Sequence, residues 1–292
     1  MIETIIDTPV RTTPHLGFLR EKGVKTIIRY YNHRNSSVLP EKRITKEEAQ
    51  AICEHGMTVG VVFQQNGREL SDFSTAKGST DSKRALDCAA DIGQPEGSTI
   101  YFGVDHDFYR SSEIPAIMDH FSAIKSEVGT KYKIGAYASG GLATRLIGAG
   151  LIDHTWLPRA LGWSGSRDFH RAGKWDLFQN QVDIRLGALP IDTNIANPAR
   201  GGFGAFSVLE APALPQNEDR QPHLHVVIAR SGLHLRAGAG TGFKVLQTLP
   251  MGSIVDVLDV SAPDWALVSL QGDMSADGYM YKGFLVDFMA GH

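Results

Sequence analysis

Along the first 198 residues of this 292-residue chain, short apolar runs alternate with amphipathic stretches. That pattern predicts β-strands separated by helices. The strand candidates are Thr4–Asp7, Thr26–Tyr31, Thr58–Gln64, the first half of Thr99–Phe108, Tyr132–Ser139, Thr155–Trp163, Trp175–Gln181 and Leu189–Asn194. Pro158 interrupts the sixth, which is expected to be irregular. Helices are signalled by a capping-box spacing at Thr45-Lys46-Glu47-Glu48 with a stop at Gly56, and by periodic stretches over Thr80–Ile92, Glu113–Val128 and Leu142–Ile147. A glycine-containing turn, not a clear helix, precedes the last strand. Eight strands with mostly helical connections predict a closed (β/α)8 TIM-like barrel. The G-x-G-x-x-G fingerprint of dinucleotide folds is absent after the first strand.

The pattern changes at residue 199. Residues 199–222 are weakly periodic and rich in proline and polar side chains, as expected of a linker. From 223 to 292 six short strands follow: Leu224–Ile228, Leu233–Arg236, Lys244–Leu249, Ser253–Val260, Trp265–Leu270 and Tyr279–Phe284. Such spacing predicts a small all-β barrel. A hydrophobic fraction of 42% and a charged fraction of 21% agree with well-filled cores. A net charge of −3 supplies no general attraction to nucleic acid or to an anionic membrane. No apolar run approaches the roughly 18 residues of a membrane span, and no secretory signal is visible at the start of the chain. Cys53 and Cys88 fall in helical stretches, where buried free thiols are expected, and no C-x-x-C metal spacing occurs.

Candidate chemistry gathers at the ends of the strands, where barrels of this class place their sites. The stretch T-I-Y-F-G-V-D-H-D-F, Thr99–Phe108, ends in Asp105 and Asp107, which strand periodicity would put on one side. Other strand ends offer Asp7, Arg29 with Tyr30 and Tyr31, Gln64, Tyr137 with Ser139, Trp163, Gln179, and Asp192 with Asn194. Any one of these, taken alone, reads better as a solvated loop residue. Together, acids for proton chemistry and aromatic rings for sugar faces suit a glycan site.

Those residues carry a resemblance. Residues 1–198 resemble the family 25 glycoside hydrolase lysozymes, and more closely the glycoside-hydrolase-like domain known as domain of unknown function 1906. The matching positions are Asp7, Asp105 to Asp107, Tyr137, Phe178-Gln179 and Asp192-Thr193-Asn194. Asp107 stands where the lysozymes have glutamate, one methylene longer. The tail resembles a bacterial Src-homology-3 (SH3-like) domain through Leu233–Gly252, Trp265 and Gly278-Tyr279-Met280. The resemblance implies a lysozyme-like, muramidase-type hydrolase of peptidoglycan or a related aminosugar polymer, with a wall-binding module. It casts Asp107 as general acid, with Asp105, Asp192 and Asp7 completing an acidic floor. Tyr31, Arg29, Gln64, Tyr137, Trp163, Gln179 and Asn194 would contact sugar. No metal or other cofactor is implied. The partner would be cell-wall glycan, not nucleic acid or the membrane interior. Action would lie outside the cytoplasmic membrane, reached through a secretion system or phage-type delivery partner.

Three rivals stand beside this reading. His33-Arg34 hints at a phosphodiesterase barrel, but Asn35 follows and no E-x-D metal partner is evident. A non-catalytic glycan binder on a decayed barrel would explain the shortened acid. A purely structural or delivery protein would show no glycan affinity.

Overall fold

A computed structural model describes residues 4–32, 34–207, 223–270 and 276–288. His33 and the expected linker residues 208–222 lie outside the described residues. The chain divides into two compact units, Met1–Glu210 and Ala211–His292.

In the first unit, eight strands close into a barrel in sequence order. They are β1 (Ile5–Asp7), β2 (Thr26–Tyr31), β3 (Thr58–Phe63), β4 (Thr99–Gly103), β5 (Lys133–Tyr137), β6 (His154–Leu157), β7 (Leu177–Leu186) and β8 (Leu189–Ala196). Neighbours from β1 to β7 are parallel, as expected of β/α repetition. The last strand departs from the pattern. It forms an antiparallel hairpin with β7 and runs antiparallel to β1, setting Asp7 opposite Asp192. The reason is the turn: Gly187, at φ 63°, helps span a two-residue connection, whereas a parallel crossover needs a dozen residues or more.

Helices α1 (Leu16–Glu21), α2 (Lys46–Glu54), α3 (Thr75–Ile92), α4 (Ile114–Val128), α5 (Gly140–Gly148) and α6 (Ser166–Arg171) intervene between the strands. Thr45 caps α2 and Ser139 caps α5, each accepting a backbone N–H from the first turn. Ser74 does the same for α3, which therefore starts five residues before the expected Thr80. Cys53 and Cys88 are free thiols on α2 and α3.

Strand alternation sorts side chains into two layers. Ile6, Ile27, Val59, Val61, Ile100, Phe102, Ile134 and Ala136 join the large core that also takes in the helices. Ile5, Ile28, Val62, Tyr101, Trp156 and Leu177 form a separate cluster, the filling of the barrel. Gly135 is required there: a Cβ would meet the Tyr101 ring at 2.3 Å. The start of the expected linker, 199–207, instead packs on the barrel. Phe206 bridges to Val59 and is buried in the large core, and the Phe203 carbonyl accepts the Tyr101 hydroxyl at 2.9 Å.

The second unit is a seven-stranded antiparallel arrangement in the order β11-β10-β14-β13-β12-β9-β15. Its strands are β9 (Leu224–Val227), β10 (Leu233–Arg236), β11 (Val245–Leu249), β12 (Ile254–Asp259), β13 (Trp265–Ser269), β14 (Gly278–Tyr281) and β15 (Leu285–Asp287). The last lies beyond the six expected strands, and the end of the expected Tyr279–Phe284 strand is instead a 3-10 turn, Lys282–Phe284. Val227, Leu235, Val255, Val257, Val268 and Met280 fill the core.

Candidate functional site

At the C-terminal end of the parallel strands the barrel opens into a cleft of about 390 Å³. Asp7 lies at its base, at the end of β1, and is 2% exposed. Its Oδ2 accepts the Asn194 Nδ2–H at 2.7 Å and the Gln179 Nε2–H at 3.3 Å, and its Oδ1 accepts the Tyr30 hydroxyl at 3.3 Å. Asn194 is itself fixed by accepting the Trp156 indole N–H at 2.8 Å. Gln179 accepts the Tyr137 hydroxyl at 3.0 Å and also donates to Asp192 at 2.9 Å. One amide thus ties two carboxylates together.

Asp192 is closer to solvent. Its second oxygen accepts the backbone N–H of Asp183 at 2.7 Å. Asp183 sits in the irregular part of the β7–β8 ladder at φ 55°, a left-handed conformation that aspartate tolerates better than most residues. Burial, reinforced by the Asp192 charge, pushes Asp7 up to about 7 despite its three hydrogen-bond donors. Burial also raises Asp192, against the Asp183 N–H. The Tyr30 and Tyr137 phenols are driven well above their ordinary range by burial and then by surrounding carboxylates.

The facing wall differs. Asp105 is paired with Arg68, whose Nε and a terminal nitrogen approach one carboxylate oxygen at 2.8 and 2.7 Å. Gln64 donates to the same oxygen at 3.4 Å. Lys42 stands over the Tyr30 ring, 4.6 Å from its centroid.

Of the sequence candidates, the structure brings Asp7, Asp105, Asp192, Gln64, Tyr137 and Gln179 to the cleft, with Asn194 behind Asp7. Four others go elsewhere. Asp107 is not among the residues that line the cleft; β4 ends at Gly103, so strand alternation does not carry over to it. Its carboxylate accepts the Ser164 backbone N–H, at 3.0 and 2.9 Å to the two oxygens.

Arg29 and Tyr31 occupy the outward positions of β2. Arg29 is fully buried, pairs with Glu48 through Nε at 2.9 Å and a terminal nitrogen at 3.1 Å, and donates to the Thr8 and Glu41 carbonyls. The Tyr31 hydroxyl donates to Gln94 at 2.9 Å, on the helix side of the sheet. Trp163 lies beyond β6, which ends at Leu157 before Pro158. Trp156 fills the inward position instead, packed edge-on to Tyr137 at 5.0 Å between ring centroids. Tyr30 and Trp156 were recoverable from strand alternation with Ile28 and from the proline stop. Lys42, Arg68 and Asp183 lie on loops or irregular backbone, where periodicity carries no signal.

A closed β/α barrel whose carboxylates, amides and aromatic rings converge at one end defines a glycoside hydrolase-like domain. Residues 18–195 match the family model described as Rv2525c-like, glycoside hydrolase-like domain, and the chain belongs to that family. Residues 231–286 match the bacterial SH3 domain. The crystal structure of the Mycobacterium tuberculosis Tat-secreted protein Rv2525c in complex with L-tartrate is similar with a TM-score of 0.58 and 21% identity, over 70% of this chain and 99% of that one. Two uncharacterized Bacillus subtilis proteins are also similar. YbfG is 31% identical over 188 residues, 60% of this chain and 26% of YbfG. FadG is 27% identical over 206 residues, 68% of this chain and 36% of FadG. The chain therefore spans only about a quarter to a third of the length of these relatives. No helix among the described residues is long and apolar enough to cross a membrane.

Proposed function

We propose that the cleft binds and hydrolyses a glycosidic bond of peptidoglycan or a related aminosugar polymer, outside the cytoplasmic membrane, while the SH3-like unit holds the protein to the wall. The observation that carries this reading is Asp7, a buried carboxyl group pushed up to about 7 in a cleft that holds three further carboxylates, Asp105, Asp183 and Asp192. Glycoside hydrolysis needs one carboxyl that still holds its proton near neutral pH and another that supports positive charge at the sugar carbon. Asp7 suits the first role. Asp192, tied to it through Gln179, and Asp105, paired with Arg68, suit the second. Tyr30 and Tyr137 offer ring and hydroxyl to a sugar, and Trp156 backs Tyr137. Tethering by the SH3-like unit would raise the local concentration of barrel at the wall without altering the chemistry.

A second reading, glycan binding without hydrolysis, is favoured by Asp107. The residue implied as proton donor turns both carboxylate oxygens toward the Ser164 N–H and is not among the residues that line the cleft. Mass spectrometry of purified peptidoglycan after incubation separates the two. A new reducing end signals hydrolysis and names the bond cut. Retention on the wall with no new end signals the binder.

A further inference from the structure

The two walls of the cleft carry opposite charge. Asp7, Asp183 and Asp192 come from β1, β7 and β8, whereas Lys42 and Arg68 come from the loops after β2 and β3. Arg68 is matched by Asp105. Lys42 is not matched in this way: among the described residues no carboxylate is paired with it, and the bond its Nζ makes is to the Gln64 carbonyl, at 2.9 Å. It lies half-buried on the Tyr30 ring, and burial pushes it down to about 8, against the pull of Asp105. An ammonium partly withdrawn from water without a carboxylate in direct contact is unfavourable, and a bound anion would relieve it.

We infer that Lys42 is the anchor of a subsite for a carboxylate carried by the sugar chain, so that the glycan taken by this cleft is an acidic one. With Arg68 paired to Asp105, Lys42 is the cation on this wall that has no ion pair among the described residues, and the acids of the opposite wall disfavour a dianion such as phosphate more than a carboxylate. The ammonium keeps N–H donors beyond the one given to Gln64, and these can meet a carboxylate in charge-assisted hydrogen bonds. A sugar held this way would lie across the cleft with its carboxylate toward Lys42 and its glycosidic oxygen toward Asp7. This inference rests on the glycan reading above and adds its substrate class.

The test uses the full chain and three probes: peptide-free glycan strands bearing free sugar carboxylates, the same strands with those carboxylates reduced to alcohols, and a phosphorylated strand. Binding is measured by titration calorimetry, so hydrolysis is not the readout. The parent protein is expected to bind the carboxylated strand about tenfold more tightly than the reduced one. Lys42→Met is expected to bring that ratio to about one, and Lys42→Arg to keep it. Equal parental affinity for carboxylated and reduced strands overturns the subsite while leaving the glycan reading intact. A preference for the phosphorylated strand overturns the carboxylate assignment. A ratio that survives in Lys42→Met moves the recognition away from Lys42. Binding of none of the three removes the glycan reading and this inference together. Should Lys42→Met fold poorly, Lys42→Gln carries the same test.

Discussion

Two buried charged clusters flank β1 and β2, and they are built on opposite principles. On the outer side, Arg29 meets Glu48 in a paired contact, and the Glu48 Oε1 also accepts the Thr12 backbone N–H and hydroxyl at 2.7 and 2.8 Å. Positive and negative charge are balanced there, and the Thr8, Thr12 and Glu41 backbones are fastened to β2 and α2. On the inner side, Asp7 has hydrogen-bond donors but, among the described residues, no cation paired with it, and its neighbour Asp192 is another acid. The outer cluster resolves its electrostatics within the fold. The inner one leaves them unresolved, and that residual cost is what a proton-transfer site requires.

Breaking the inner cluster is expected to have the largest effect. Asp7→Asn keeps the shape but removes the ionisable proton, and hydrolysis of cell-wall glycan should fall on the order of 10²- to 10⁴-fold. Activity within a few-fold of the parent, scored by new reducing ends, would remove Asp7 from the proton-transfer role. Breaking the outer cluster should act on stability instead. Glu48→Gln leaves the buried guanidinium without its counter-charge and is expected to cost about 3–5 kcal/mol in chemical denaturation, with activity per folded molecule retained.

The comparison sharpens with pH. The folded-state pKa of Asp7, about 7, lies above the ordinary 3.8, so the folded protein holds a proton that the unfolded chain has released between those values. Asp7 therefore erodes stability as pH rises from about 4 to about 7. Asp7→Asn should be more stable than the parent by about 1–3 kcal/mol at pH 8, an advantage that vanishes near pH 4. Melting curves at the two pH values test this, and an advantage of equal size at both would show that titration is not its source. The smallest effect is expected at Asp107. Asp107→Asn retains an acceptor for Ser164 N–H, so the loss of activity should be a few-fold, well below that of Asp7→Asn. A loss as large as that of Asp7→Asn would restore the acid role to Asp107.

How much of this was legible follows from where periodicity holds. Within strands the apolar runs located all eight barrel strands, and Asp7, Tyr137 and Gln179 stand at positions read as strand ends. Arg29 and Tyr31 were drawn to the site by their residue type, although alternation from Ile28 points Tyr30 inward and its neighbours outward. Asp105 and Asp107 were paired by extending strand geometry past Gly103, into backbone that no longer follows it. The reversed direction of β8 was foreshadowed only by the missing helix before it. Phe206 was hidden in a stretch whose glycine and proline content signals a linker, because a short segment covering a barrel needs few apolar residues.

That reversed strand also governs when the cleft can exist. Asp7 and its donor Asn194 are separated by 187 positions, so β1 cannot receive its second neighbour until almost the whole barrel has left the ribosome. Until then one edge of β1 has no strand to pair with, and Asp7 lacks the amides that hold it. During synthesis the acidic cleft is therefore among the last features to assemble, and a nascent or truncated barrel would carry the residues of the site without the site itself.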